Sequence, residues 1–397
     1  MAVEKRLITR RDLLKGAAAV PAAIALASCA PSPSSAGAPA AASATAAATP
    51  AEPIVFGVSA PLSGDNAEFG RIWQRAMAIR LDELNASGGI KGRKVDVMFE
   101  DSQGKGEQAV AIAQKFTNDK RVLAEMGDQS SVTSMAASPI YVRGNMVQFG
   151  FTNSHPDFTK GGDYMFSTAP TQVQDAAYLA EVGFGKLGKT HAIAFQNTDF
   201  GKATSTIYAD KIKALGGQVV MTESYIPTDK DFKPLVAKIR DAKADVLVLI
   251  SFFSDGALIL QQARAAGIDT KAITPSSCYN PQFLTIGGAA VEGTVMTTTF
   301  FPGNPRPEAQ KFVAAYKQRY NADPEVHAAG AYDALTALAW AVDKAGPDRA
   351  AIRGALATGQ DIPSIIYGPF HFGDDRRVQP FKVQPIQVKD GKFVAFV

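Results

Sequence analysis

The sequence predicts an α/β protein of two lobes, each built on a parallel central sheet with helices on both faces. Three observations carry this. From residue 54 onward, short runs rich in β-branched residues alternate with helical stretches of about 10–15 residues, the rhythm of strands joined by crossover helices. That rhythm runs as two series, near 54–168 and 169–300. And 344 residues, 54–397, are long for one hydrophobic core and natural for two.

The chain opens on something else. Lys5, Arg6, Arg10, Arg11 and Lys15 precede an apolar run from Ala17 to Ala27 that contains Pro21. A bilayer span needs about 20 apolar residues, and this run is too short. A basic segment, a short apolar segment and small residues before a cut site describe an export signal. TRRDLLK resembles the twin-arginine signal, and LASC, Leu26 to Cys29, resembles the lipobox of bacterial lipoproteins, in which the cysteine becomes an acylated N-terminus. Residues 1–28 are therefore expected to be a signal peptide and Cys29 a lipidation site. An ordinary secretory signal with an incidental cysteine is the alternative. Residues 29–53, almost all Ala, Ser, Pro, Thr and Gly, read as a disordered tether.

Charge and cysteine content exclude several classes. The formal charge of +3 is accounted for by residues 1–28, with five basic and two acidic side chains. The remainder is formally neutral, which gives no footprint for nucleic acid. Cys29 and Cys278 are the only cysteines, so no disulfide framework is expected, and Cys278 reads as a packed thiol. The four histidines lie far apart without metal-ligand spacing.

The first series reads IVFGVSA as a strand, FGRIWQRAMAIRLDELNAS as a helix and RKVDVMFED as a strand. Ile72, Ala76, Ile79 and Leu84 recur at helical spacing, and Gly88-Gly89 stop that helix. GEQAVAIAQKFTND, VLAEMG, a helix from about Ser130 and MVQFGF continue the alternation. The second series runs HAIAFQN, GKATSTIYADKIKALGG, QVVMTESY, DFKPLVAKIRDAKA, DVLVLISF and GALILQQARAAG. Two long helices follow, in PEAQKFVAAYKQRY and GAYDALTALAWAVDKAG, and the chain ends in strand-like PFKVQPIQVKDGKFVAF. No G-x-G-x-x-G follows the first strand and no phosphate loop occurs, so the usual nucleotide signatures are missing. No G-x-S-x-G elbow or metal motif supports an enzyme, and His155 beside Ser154 is the one tempting catalytic pair.

SAPLSGDNAEFG at 59–70, ELNASGGIKGRKVDVMFEDSQG at 83–104, GDQSSVTSMAASPIY at 127–141, TNSHPDFT at 152–159, NTDFGKA at 197–203, QQARAAGI at 261–268 and GAYDAL at 330–335 together resemble the periplasmic substrate-binding proteins of ABC transporters, in the branched-chain amino acid (Leu/Ile/Val-binding) group. The resemblance implies the type I periplasmic binding fold, two Rossmann-like lobes joined by a three-crossing hinge. It divides the chain into lobe 1, 54–168 plus about 302–360, and lobe 2, 169–301 plus about 361–397. It implies capture of an amino acid-like ligand between the lobes and delivery to ABC permease subunits, with no cofactor and no catalysis, by a monomer anchored at the outer face of the membrane. An amide, urea or aromatic carboxylate ligand, or a sensory role, is the alternative within the same fold.

The resemblance also implies a site. The turn GDQSSVTS opens a helix after a strand, where free N–H groups and hydroxyls suit a carboxylate. Ser131 falls on the ligand hydroxyl, with Ser130 beside it, and a helix cap is the plainer reading of either. Ser154 falls on a head-group hydroxyl, with Thr152 and Asn153 flanking it. Asp255 falls where a carboxylate pairs with the ligand ammonium, or else it caps a helix from Gly256. Phe69 and Phe200 match aromatic positions against the ligand, and Phe253 and Tyr279 are further candidates. Asp101 is expected to organise its loop.

Overall fold

The computed structural model describes residues 52–227 and 229–397. The expected signal segment, Cys29 and all of the tether but its last two residues lie outside them.

Five strands form the first sheet: β1 (Ile54–Ala60), β2 (Val95–Asp101), β3 (Val122–Gly127), β4 (Val147–Gly150) and β5 (Met165–Ser167). They run parallel in the order β2-β1-β3-β4-β5. Between them lie α1 (Ala67–Ala86), α2 (Gly106–Asn118) and α3 (Ser131–Arg143). The periodic face read in the sequence is the buried one: Ile72, Ala76, Ile79 and Leu84 of α1 all lie inside.

The second lobe begins at α4 (Gln172–Val182) and continues through β6 (Thr190–Gln196), α5 (Asp199–Ala214), β7 (Gln218–Tyr225), α6 (Lys233–Ala242), β8 (Val246–Ile250) and α7 (Phe253–Ala265). It closes with β9 (Lys271–Thr274), α8 (Pro281–Gly287) and β10 (Val295–Thr298). β6 to β10 pair in parallel, and β8 is fully buried, as its unbroken apolar run VLVLI requires.

The chain then returns to the first lobe as α9 (Pro307–Tyr320), α10 (Val326–Ala345) and α11 (Arg349–Thr358). α10 is apolar almost all round and is correspondingly buried almost all round, against α1 and α11. A short hairpin, β11 (His371–Phe372) and β12 (Val378–Gln379), precedes β13 (Gln384–Lys389) and β14 (Lys392–Ala395).

Two expectations are corrected here. The second sheet is mixed, because β13 pairs antiparallel with β10 and β14 antiparallel with β13. And the last return to lobe 2 comes about twenty residues later than 361. Phe370, Phe372 and Val378 pack in the same apolar cluster as Phe149 and Phe166 of the first sheet. The buried Asp333 of α10 accepts hydrogen bonds from the backbone N–H groups of Ile365 (2.8 Å) and Ile366 (3.2 Å), fixing that segment to lobe 1. The polypeptide passes between lobes three times, at 168–171, 299–306 and 380–383.

Candidate functional site

The carboxyl ends of both sheets face one cavity of about 620 Å³, lined by residues of both lobes. That lies in the usual range for small-molecule sites, about 300–1,000 Å³. Ligands of open α/β sheets sit beyond the carboxyl ends of the strands, and here two such edges share one space.

On lobe 1 the wall comes from the turn between β3 and α3. Ser130 is the N-cap of α3, its Oγ accepting from the Thr133 N–H at 3.1 Å. Ser131 is the first helical residue, and its Oγ accepts from the His155 N–H at 3.2 Å. A hydroxyl whose oxygen already accepts keeps its own proton for another acceptor. The first N–H groups of a helix have no partners within it and carry the positive end of its dipole. Ser131 and the opening of α3 therefore form a donor-rich corner suited to a carboxylate.

The loop after β4 supplies the other half. Thr152 Oγ1 contacts the carbonyl oxygens of Asp128 (3.2 Å) and Gln129 (3.0 Å), so its proton is directed to the loop and its lone pairs are left to accept. Ser154 lines the cavity beside it. Asn153 does not: it is fully buried, and its amide donates to Ser134 Oγ at 2.6 Å, bracing the turn from behind. Sequence reasoning missed what holds this loop. Arg377, buried just after the first-lobe hairpin turn, donates to the carbonyl oxygens of Asn153 (3.0 Å), Ala169 (3.1 Å) and His155 (2.6 Å). Burial lowers its pKa to about 10, which leaves it charged at neutral pH. Asp101 organises its own loop as expected, accepting from the N–H groups of Leu62, Ser63 and Gln103.

On lobe 2, Asp255 lies in the first turn of α7. The helix begins at Phe253, so Asp255 is its third residue and does not cap a helix from Gly256. Its side chain is buried at the cavity wall, its one side-chain hydrogen bond among the described residues comes from Ser254 Oγ at 3.2 Å, and burial pushes its pKa up to about 6. Phe200 also lines the cavity and stacks on Phe252, ring centroids 5.9 Å apart and planes within 9°.

Three aromatic expectations are corrected. Phe69 is not in a loop, because α1 starts two residues before it. Its ring is fully buried against Phe252, Phe253 and His327, at centroid distances of 6.2, 5.5 and 4.8 Å, and joins the two lobes instead of lining the cavity. The next residue, Gly70, has to be glycine in this packing, since a Cβ there would collide with the Pro61 carbonyl. Phe253 and Tyr279 are core residues. The first packs on Phe69, and the second lies edge-on to Phe393 of β14 at 4.6 Å. Cys278 is a buried free thiol beside Ser251, 3.3 Å away.

The sequence reading missed a second group on the lobe 2 wall. Gln172 and Asp175 come from the start of α4, and Gln196 ends β6. Phe252 and His327 also line the cavity. His327 is held by Glu325, which caps α10 and accepts from the ring Nδ1 at 2.6 Å.

Two α/β lobes, three connecting passages and one cavity walled by both describe a two-lobed binding protein. Comparison with known proteins agrees: the Periplasmic binding protein family profile matches residues 53–392, and the chain belongs to that family. Residues 7–27 match the signal sequence of the twin-arginine translocation pathway, which with the family indicates export to the periplasm. The chain is 27% identical over 345 residues to Leu/Ile/Val-binding protein homolog 3 of Brucella melitensis, covering 86% of this chain and 93% of that one. It is similar in fold to a leucine binding protein from Thermotoga maritima, with TM-score 0.81, 24% identity and coverage of 87% and 98%. It is likewise similar in fold to a branched-chain amino acid transporter substrate binding protein from Streptococcus pneumoniae in complex with isoleucine, with TM-score 0.82, 23% identity and coverage of 86% and 98%. These relatives are substrate-binding proteins, and the family is non-catalytic.

Proposed function

We propose that this protein captures an α-amino acid between its lobes outside the cytoplasm and delivers it to the permease of an ABC importer. One observation carries the reading: the donor-rich corner at Ser131 and the carboxylate of Asp255 line the same cavity from opposite lobes. A zwitterion meets both needs. Its carboxylate takes the Ser131 proton and the first N–H groups of α3. Its ammonium takes Asp255, with the acceptor lone pairs of Thr152 and the Ser154 hydroxyl alongside. A carboxylate ligand without an ammonium leaves Asp255 facing no cation, a desolvation cost with no return. Phe200 and Phe252 offer apolar surface to the rest of the ligand. Lipidation at Cys29 keeps the protein at the membrane near its permease, and residues 30–53 give it reach.

A thermal-shift screen over the amino acids and small carboxylates tests this, because a ligand that binds only the folded state raises its melting temperature by mass action. The expected result is upward shifts confined to α-amino acids. Shifts confined to acids that lack an amino group contradict it. For the anchor, Cys29→Ser should move the protein from the membrane fraction to the soluble one, and intact mass should show an acylated N-terminus at Cys29. An unmodified N-terminus at another residue contradicts that part.

A further inference from the structure

The cavity wall is acidic in a way that one ammonium does not explain. Asp65, Asp175, Asp199 and Asp255 all line it, and among the described residues no Lys or Arg does. Asp175 forms no ion pair among the described residues, and its one side-chain hydrogen bond, from Thr297 Oγ1 at 3.1 Å, occupies a single carboxylate oxygen. On the same wall, Gln196 is 1% exposed and neither of its amide atoms has a partner among the described residues. Gln172 is 3% exposed and donates from Nε2 to the Phe200 carbonyl (3.4 Å) and Thr204 Oγ1 (3.3 Å), while its Oε1 has no partner among the described residues. An orphaned buried amide loses its bonds to water with nothing in return, and here three such atoms belong to two residues that line one ligand space.

We propose that Asp175, Gln172 and Gln196 form a subsite for the far end of the ligand, and that this end carries a nitrogen hydrogen-bond donor, an amine or a primary amide. The subsite rests on the amino acid reading above: with the α-carboxylate and α-ammonium held by Ser131 and Asp255, the second group of acceptors is left for the side chain. Asp175 and Gln172 Oε1 accept from an N–H, and the Gln196 amide both gives and accepts. A branched hydrocarbon at the same place satisfies none of them and leaves the Asp175 carboxylate desolvated with the Thr297 hydroxyl alone to donate to it among the described residues. The site discriminates because a buried polar group built for a hydrogen bond rejects the analogue that lacks it more strongly than an apolar pocket separates two hydrocarbons.

Isothermal titration of L-leucine, L-glutamine, L-ornithine and L-lysine into the native protein, Asp175→Asn, Gln196→Leu and Thr297→Val tests the proposal. In the native protein at least one nitrogen-tailed amino acid should bind tenfold or more tighter than leucine, ornithine or lysine leading for an amine subsite and glutamine for an amide one. Asp175→Asn should cut the preference for an amine tail over leucine at least tenfold, and Gln196→Leu that for an amide tail over leucine. Thr297→Val removes the hydroxyl that ties Asp175 to β10 and keeps the carboxylate, so the ratio should survive. Leucine binding as tightly as every nitrogen-tailed ligand overturns the subsite while leaving the amino acid reading intact. A ratio that collapses equally in Thr297→Val shows Asp175 to be a tie beside the interlobe passages and overturns it as well. Heats from none of the four amino acids overturn both together.

Discussion

At the scale of single residues, the site separates groups that line the cavity from groups that hold its wall. Ser131→Ala should weaken amino acid binding by about 1–3 kcal/mol, because the N–H groups at the start of α3 remain when the hydroxyl is gone. Titration of the variant checks this, and an unchanged affinity would make Ser131 only a tie to the His155 loop. Phe69→Ala should act differently. Its ring is fully buried between the lobes, so truncation should cost about 3–5 kcal/mol of stability, read as a lower denaturant midpoint. A variant with unchanged midpoint but lost binding would return Phe69 to the ligand pocket. Residue by residue, the polar part of the site was legible where a strand ends in a hydroxyl- or carboxylate-bearing turn, as at Ser131, Ser154 and Asp255. The aromatic part was not. Whether Phe69 or Phe253 faces ligand or core depends on where its helix begins, and a shift of one or two residues, well within the uncertainty of reading a helix end from sequence, turns the side chain to another face. Asp175, Gln172 and Gln196 carry no local pattern. Only the fold brings the end of β6 and the start of α4 to one wall.

At the scale of elements, alternating strands and helices were legible because both lobes repeat one unit and its hydrophobic periods differ clearly. The final strands were legible as strands but not in direction: nothing local in QPIQVK tells a parallel from an antiparallel partner. Nor did the sequence show that 362–379 stays on lobe 1, since the groups that hold it there, Asp333 and Arg377, act over long separations in the chain. Arg377 joins elements most directly. It fastens the loop that carries Ser154 to the first interlobe passage through three backbone carbonyls. Arg377→Met keeps much of the apolar stem and leaves the Ala169 carbonyl without a donor, at about 1–3 kcal/mol for the orphaned group, while the Asn153 and His155 carbonyls keep Ser167 Oγ and the Phe158 N–H. The variant should melt at lower temperature and bind ligand more weakly. Normal melting and normal binding in the same variant would show the loop to be held without Arg377, by Ser167, Asn153 and Thr152 among others.

At the scale of the whole molecule, buried carboxylates set the pH dependence of the ligand-free protein. Burial pushes Asp128, Asp175 and Asp255 up to about 6 and Asp333 up to about 7, against about 3.9 in an unfolded chain. The folded state then holds protons that the unfolded state releases, so this contribution to stability is full below about pH 4 and is lost as pH rises through 6–7. Asp101, Asp119 and Asp245 have lowered values and work the other way, their contribution failing only as pH falls below the ordinary carboxylate range. Thermal melts of the ligand-free protein should therefore show a higher melting temperature near pH 5 than near pH 8, and the reverse order would contradict the assigned burial. The two lobes should also answer ligand as a pair. A ligand that touches both favours the closed arrangement by its differential affinity, which small-angle scattering reads as a smaller radius of gyration at saturation. An unchanged radius would mean that the lobes do not move on binding.

The central claim is that one zwitterion bridges the lobes, and isothermal titration of Asp255→Asn against native protein tests it most directly, using an α-amino acid that the native protein binds and the analogue of that ligand lacking only the amino group. Native protein should bind the amino acid well and the analogue poorly. Asp255→Asn should lose about 2–5 kcal/mol toward the amino acid, since an ammonium is left opposite a neutral amide, and should separate the two ligands far less. If Asp255→Asn binds the amino acid as tightly as native protein does, the carboxylate does not meet the ligand and the account of the cleft is wrong.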